Sequence, residues 1–184
     1  LKYKVGAAPV YLEQLPLSDI NAAMVNRLHN RGFFEAACTH EVVRDGRTAS
    51  VVFTVTPGAP HVIRSLRMGL ANGDTLESTL ASMQPSGRIQ VGEPYDLARL
   101  TAERSRITEQ LRNSGWYRLR SDDLVWAADT TLGDRGVTLH LRVKPSTSVI
   151  KRRIHTIGSV TVHADQDEVL PPTDTSHVDS VAFI

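Results

Sequence analysis

Leu28-His29-Asn30-Arg31-Gly32-Phe33-Phe34 returns further along the chain as Leu111-Arg112-Asn113-Ser114-Gly115-Trp116-Tyr117. Both stretches read Leu-x-Asn-x-Gly-aromatic-aromatic, and their glycines stand 83 positions apart. A second pair follows in the same order. Val51-Val52-Phe53-Thr54-Val55-Thr56-Pro57 has its counterpart in residues 137–145, and the closing prolines, Pro57 and Pro145, are 88 positions apart. After each proline comes another strand-like run, at 61–67 and 154–162. Order and spacing thus repeat together, with a few residues inserted in the second copy, which is the signature of a tandem unit.

The second copy is the fuller one. Residues 61–67 read as a short strand. Asp74 with Glu77 three positions on forms a capping-box-like start, and Leu76, Leu80 and Met83 at helical spacing predict a helix over 75–83. Pro85, Gly87, Gly92 and Pro94 punctuate a loop. Asp96 is placed to cap a longer helix, 97–114, with Leu97, Leu100, Ile107 and Leu111 on its apolar side and an Arg99–Glu103 pair on its wet side. Gly115 ends that helix, since the left-handed conformation costs it no Cβ clash. Trp116 and Tyr117 are expected to open a strand reaching about Ala128, with a slip near Ser121-Asp122-Asp123. Val137, Leu139, Leu141 and Val143 alternate with polar residues, a strand with one buried face. The expected core of 61–144 is Leu66, Leu80, Leu97, Ile107, Leu111, Trp116, Leu139 and Leu141.

The first copy shows only the later part of this order. Ser18 or Asp19 is read as the cap of a helix carrying Ile20, Met24 and Leu28, which Gly32 ends. Strands at about 33–43 and 48–56 follow, joined at Asp45-Gly46. Residues 1–17 are too few for the missing strand and helix. Three segments result: 1–57, a module incomplete at its N-terminal side; 58–145, a complete module; and 146–184, a linker with the first strand of a third module and an irregular tail.

Composition narrows the function. The 184 residues are 41% hydrophobic and 22% charged, with 21 basic against 20 acidic side chains. That is globular composition, and a net charge of +1 lacks the basic bias of a phosphate-neutralising nucleic-acid binder. No apolar run approaches the ~20 residues of a membrane helix. Any export signal is expected to lie outside this chain. One cysteine, Cys38, excludes an internal disulfide framework and a cysteine-rich zinc site. Cys38 and His40 share a strand face, which raises a thiol-nucleophile reading. Phe34, Ala36 and Val42 lie on the same face, so a buried core cysteine is preferred. The seven histidines show no HxxxH-type ligand spacing, and no phosphate-cradling glycine loop is present, so neither a metal nor a cofactor is assigned. Arg99, Arg104, Arg106 and Arg112 alternate with Glu103 and Glu109, a salt-bridged solvated face. Lys151-Arg152-Arg153 reads as a linker in preference to a lipid contact.

The unit resembles the polypeptide-transport-associated (POTRA) repeats of outer-membrane β-barrel assembly proteins, the BamA/TamA-like group. Gly92-Glu93-Pro94-Tyr95 before the long helix and Gly115-Trp116-Tyr117 after it match the family's marks, and Thr56-Pro57-Gly58-Ala59-Pro60 resembles a joint between repeats. The resemblance implies an α+β fold of tandem β-α-α-β-β modules, each a three-stranded sheet with two helices on one face. It implies a non-catalytic periplasmic region of an outer-membrane protein that binds unfolded outer-membrane protein clients by strand addition. Its other partners would be accessory assembly proteins and a C-terminal β-barrel of the same parent, with membrane contact only through that parent and no nucleic acid. Phe34, Ala36, Thr39, Tyr117, Arg118, Leu119 and Arg120 are the client-binding candidates it carries over, and Pro57, Gly58 and Pro60 the joint. Two-partner secretion, a cell-division scaffold, or a thiol enzyme using Cys38 and His40 are the alternatives.

Overall fold

The computed structural model describes residues 10–70, 72–131, 133–162, 176–178 and 181–183. Between Val62 and Val143 the chain adopts the expected β-α-α-β-β order: β3 (Val62–Met68), α2 (Thr75–Met83), α3 (Leu97–Asn113), β4 (Leu124–Asp129) and β5 (Gly136–Val143). The sheet order is β3-β5-β4, with β3 parallel and β4 antiparallel to β5. The fold is α+β, with two helices and a three-stranded sheet in the β-α-α-β-β order.

Alternation on β5 explains the layering. Val137, Leu139, Leu141 and Val143 are buried against both helices, while Arg142 between them is exposed. One cluster joins Leu76 and Leu80 of α2 to Ile107 and Leu111 of α3, together with Trp116, Leu119, Leu124 and Leu141. A second joins Leu100 of α3 to Ile63, Ile89, Val137 and Leu139. Both helices therefore cover one face. Leu111 is 1% exposed at the centre of the first cluster, so Leu111→Ala should cost about 2–5 kcal/mol, read as a lowered urea midpoint at unchanged slope.

Asp74 caps α2 by accepting from the Glu77 N–H (2.9 Å), and Asp96 caps α3 by accepting from the N–H groups of Ala98 and Arg99. The expected box at α2 does not close. The buried Glu77 carboxylate reaches instead to the N–H of Val143 on β5 (2.9 Å), tying helix to sheet. Leu97 is a second correction: it stands one residue after the cap, where the helix has barely entered the core, and is 39% exposed. Leu66 is half-buried. The Arg99–Glu103 pair does not form either. Arg99 meets Glu93 (3.0 Å), whereas Glu103 turns inward, where Arg106 and the N–H of Arg88 hold it.

That buried pair is expected to make the module's stability fall in acid. Burial alone raises the Glu103 carboxyl, but the Arg106 guanidinium and the Arg88 N–H outweigh it and hold the group below its ordinary value near 4.5. Burial likewise pushes the Asp74 carboxyl up, and the Glu77 N–H and Arg152 outweigh it and leave the group lowered. A carboxyl depressed by folding lends stability that is complete above its unfolded value and lost as pH falls through its folded one. The urea midpoint should decline from about pH 5 to about pH 3, and Glu103→Gln should flatten that decline while lowering the neutral-pH midpoint.

The first unit comprises α1 (Leu17–His29), β1 (Ala37–Asp45) and β2 (Thr48–Thr56). Pro16 stands at the N-cap in place of Ser18 or Asp19; its carbonyl accepts from Ile20, and Asp19 sits in the first turn, where a negative charge suits the helix dipole. β1 and β2 form an antiparallel hairpin, Asp45 facing Thr48 across Gly46 and Arg47. The first strand starts at Ala37, later than expected, because residues 33–36 turn. A third sheet contains β6 (Val160–Val162), β7 (Ser176–Val178) and β8 (Val181–Phe183) in the order β6-β8-β7. The tail expected to be irregular therefore holds two short strands. Their pairing repeats that of the central sheet, with the first strand parallel and the middle one antiparallel to the last.

Candidate functional site

Helix α1 and helix α3 stop the same way. The N–H of Phe33 donates to the Leu28 carbonyl and that of Gly32 to His29; the N–H of Trp116 donates to Leu111 and that of Gly115 to Arg112. This is the two-bond stop in which a glycine takes a positive φ, here +86° at Gly32 and +104° at Gly115. The chain then turns, with Ala36 N–H to Phe33 and Leu119 N–H to Trp116.

Each corner seats the segment that follows its module. The carbonyl of Gly32 accepts from the His61 N–H and that of Gly115 from the His155 N–H, both at 2.8 Å. Phe34 meets the His61 ring edge-on at a centroid distance of 4.8 Å, and Tyr117 meets His155 at the same distance. At the first joint Tyr95 also packs on Phe34 (5.1 Å), the Leu97 N–H donates to the Asn30 carbonyl, and Arg135 lies near Glu35. The prolines expected to define this joint, Pro57 and Pro60, are exposed; Gly58 takes φ +70° beside Glu35. Phe34 also packs against the Ile63, Leu100 and Leu139 cluster of the second module, so Phe34→Ala should broaden the distance distribution between labels on residues 47 and 109, read by double electron–electron resonance, and lower the urea midpoint of the second module as well.

Of the seven expected client-binding residues, only Thr39 lies on a strand. Phe34 and Tyr117 are joint residues. Ala36 lies in the turn before β1, and Thr39 alone of the first group sits on a strand, exposed on β1. Leu119 is 1% exposed in the core. Arg118 stacks over and hydrogen-bonds Tyr117, and the Arg120 N–H donates to Asp123 (2.8 Å). Residues 117–120 are not a strand: Asp123 gathers a 3-10 turn over Ser121–Asp123, and β4 begins after it.

The strand edges of the central sheet differ. On β3, the N–H of Ile63 donates to Glu93, the N–H of Gly92 to Ile63, and Val62 bridges Pro94. Farther along, the Gln84 amide accepts from the Met68 N–H (3.1 Å) and donates to the Leu66 carbonyl (3.2 Å), as a neighbouring strand would. On β4, no strand among the described residues pairs with the outer edge. The Lys144 N–H donates inward to Asp123, so by alternation Val125 and Ala127 bond inward and the backbone groups of Trp126 and Ala128 face out. Trp126 anchors the strand from behind through its ring N–H to the Leu100 carbonyl (2.8 Å). A sequence signal for the occupied edge existed in Gln84 beside Pro85, but no spacing rule distinguishes a side chain that mimics a strand.

Cys38 is half-buried against α1, its Sγ near Asn21 Oδ1 (3.3 Å) and Met24 Sδ (3.7 Å). Asn21 also donates to His40 Nδ1 (2.8 Å). The amide thus occupies the place a base needs beside the thiol. No group of three or more metal-ligating side chains occurs among the described residues. Lys151 holds Asp123 at 2.7 Å and Arg152 pairs with Asp74, so the basic run ties the linker back to the second module.

No protein-family model matches this chain, and no curated protein matches it. Among solved structures 45 chains match. BamA from Haemophilus ducreyi lacking POTRA domains 1–3 aligns at TM-score 0.44 and 19% identity, over 77% of this chain and 24% of that one. Haemophilus influenzae BamA POTRA3–5 aligns at 0.41 and 21%, over 70% and 47%. The N-terminal domain of Omp85 from the thermophilic cyanobacterium Thermosynechococcus elongatus aligns at 0.34 and 14%, over 72% and 53%. The chain spans between a quarter and little over half of the solved chains it is compared with here.

Proposed function

We propose that this chain is a periplasmic, non-catalytic scaffolding region of an outer-membrane protein assembly or translocation factor, and that it takes extended client segments as an added strand on β4. One observation carries this reading: β3 is closed by Gln84 and residues 92–94, while β4 presents the outward backbone groups of Trp126 and Ala128. An unpaired edge recruits a strand through main-chain bonds, which demand little of the client's sequence. That suits unfolded barrel precursors. The remaining partners in this reading are accessory assembly proteins and the β-barrel of the parent.

The test is titration of the 184-residue chain with an unstructured barrel-strand peptide, followed by amide shifts at several ionic strengths. Shifts concentrated on 124–129, with affinity only mildly salt-dependent, support the reading. Shifts confined to the arginine-bearing face of α3, with affinity collapsing in moderate salt, overturn it.

A further inference from the structure

A groove of about 640 Å³ runs between the end of α1 and the start of α3. Its α3 wall carries Ala98 and Ala102, one turn apart, and the exposed Leu97. Its other wall carries Arg27 of α1 and Arg31 in the turn just past the helix, and neither has a carboxylate partner among the described residues. Asp96 lies at the head of the groove, with one oxygen committed to the Ala98 and Arg99 N–H groups. The walls are held in register by the Leu97 N–H to Asn30 carbonyl bond (2.8 Å).

Cations at a helix C-terminus are ordinary. Here they flank an open surface groove floored by two exposed alanines, with the exposed Leu97 at its edge. We propose that this groove docks an extended polypeptide segment in which an apolar side chain is flanked by carboxylates, the apolar group entering over Ala98 and Ala102 and the carboxylates meeting Arg27 and Arg31. Charge complementarity selects such a partner. Because one wall belongs to each module, the segment bridges the joint. The site is separate from the β4 edge and does not depend on strand addition.

The probe is the capped, fluorescein-labelled peptide Asp-Glu-Phe-Leu-Glu-Asp, titrated into the full chain and read by anisotropy. Arg27→Gln/Arg31→Gln should weaken binding by about tenfold or more, and Ala102→Trp, which fills the groove without changing charge, should do the same. Ala128→Pro on β4 should leave it unchanged. Each variant is first confirmed as folded by its amide spectrum. Binding that survives either groove variant, or a peptide with lysines in place of its acids binding equally well, overturns the proposal. So does failure of the peptide to bind where phosphatidylglycerol vesicles bind and lose that binding in the double variant, which would make the patch a lipid contact.

Discussion

Gly69→Ala should destabilise the second module by on the order of 5 kcal/mol or more, enough to unfold a domain of ordinary stability. Gly69 ends β3 at φ +58°, and a Cβ there would lie 2.1 Å from the Glu77 carbonyl oxygen and 2.8 Å from the Ala81 nitrogen. Both are backbone atoms of α2, so no rotamer relieves the overlap; the helix must lift off β3. Lifting it would disturb the Gly69 N–H to Leu141 carbonyl bond (2.7 Å) and the Glu77 bond to Val143. Gly46 supplies the control. It has nearly the same φ, +57°, at the tip of the β1–β2 hairpin, with nothing within 4 Å of the added carbon. Gly46→Ala should therefore cost about 1–2 kcal/mol, the strain alone. Urea unfolding of the two variants separates clash from strain. Equal costs would mean that α2 does not rest on this turn.

Ala128→Pro should weaken strand-peptide binding by about tenfold or more while leaving the fold intact. The amide of Ala128 points away from β5, so proline removes no ladder bond, and the residue is exposed. Its ring removes one outward donor and stands where an added strand would lie. Ala127→Pro tests the orientation itself: that amide bonds inward, so proline there should lower the urea midpoint. Arg118→Glu should change affinity by about twofold at most, because Arg118 lies outside the strand and is occupied by Tyr117. Retained affinity in a folded Ala128→Pro variant would exclude β4 as the docking edge.

The elements that the sequence made legible are those governed by local rules. Leu76, Leu80 and Met83 after the Asp74 cap placed α2 at its observed bounds, and Asp96 did the same for the start of α3, because cap and apolar period are written within one turn of each other. The repeated Leu-x-Asn-x-Gly corner was equally local, since a helix stop at a left-handed glycine involves only six consecutive residues. Leu139 and Leu141 were placed in the core by alternation alone.

The site was less legible, and for one physical reason: an edge strand is defined by what lies beside it. Nothing within residues 117–129 states that Asp123 will gather a turn from Arg120, receive Lys151 from a later segment and so shorten β4 to Leu124–Asp129. The periodicity of 61–67 cannot announce that Gln84, from beyond α2, will satisfy both Leu66 and Met68, so that among the described residues only β4 of this sheet keeps an outer edge without such a partner. Tyr117 read as a strand residue because its own neighbours allowed it; only the arrival of His155 makes it part of a joint. The sequence by itself determined the repeat, the helices and the order of the central module, through contacts spanning a few residues. Tertiary structure decided which edge of the central sheet is left without a strand partner among the described residues, which aromatics pack at the joints and that Arg27 and Arg31 face Ala98 and Ala102, because each of those depends on groups brought together from distant parts of the chain.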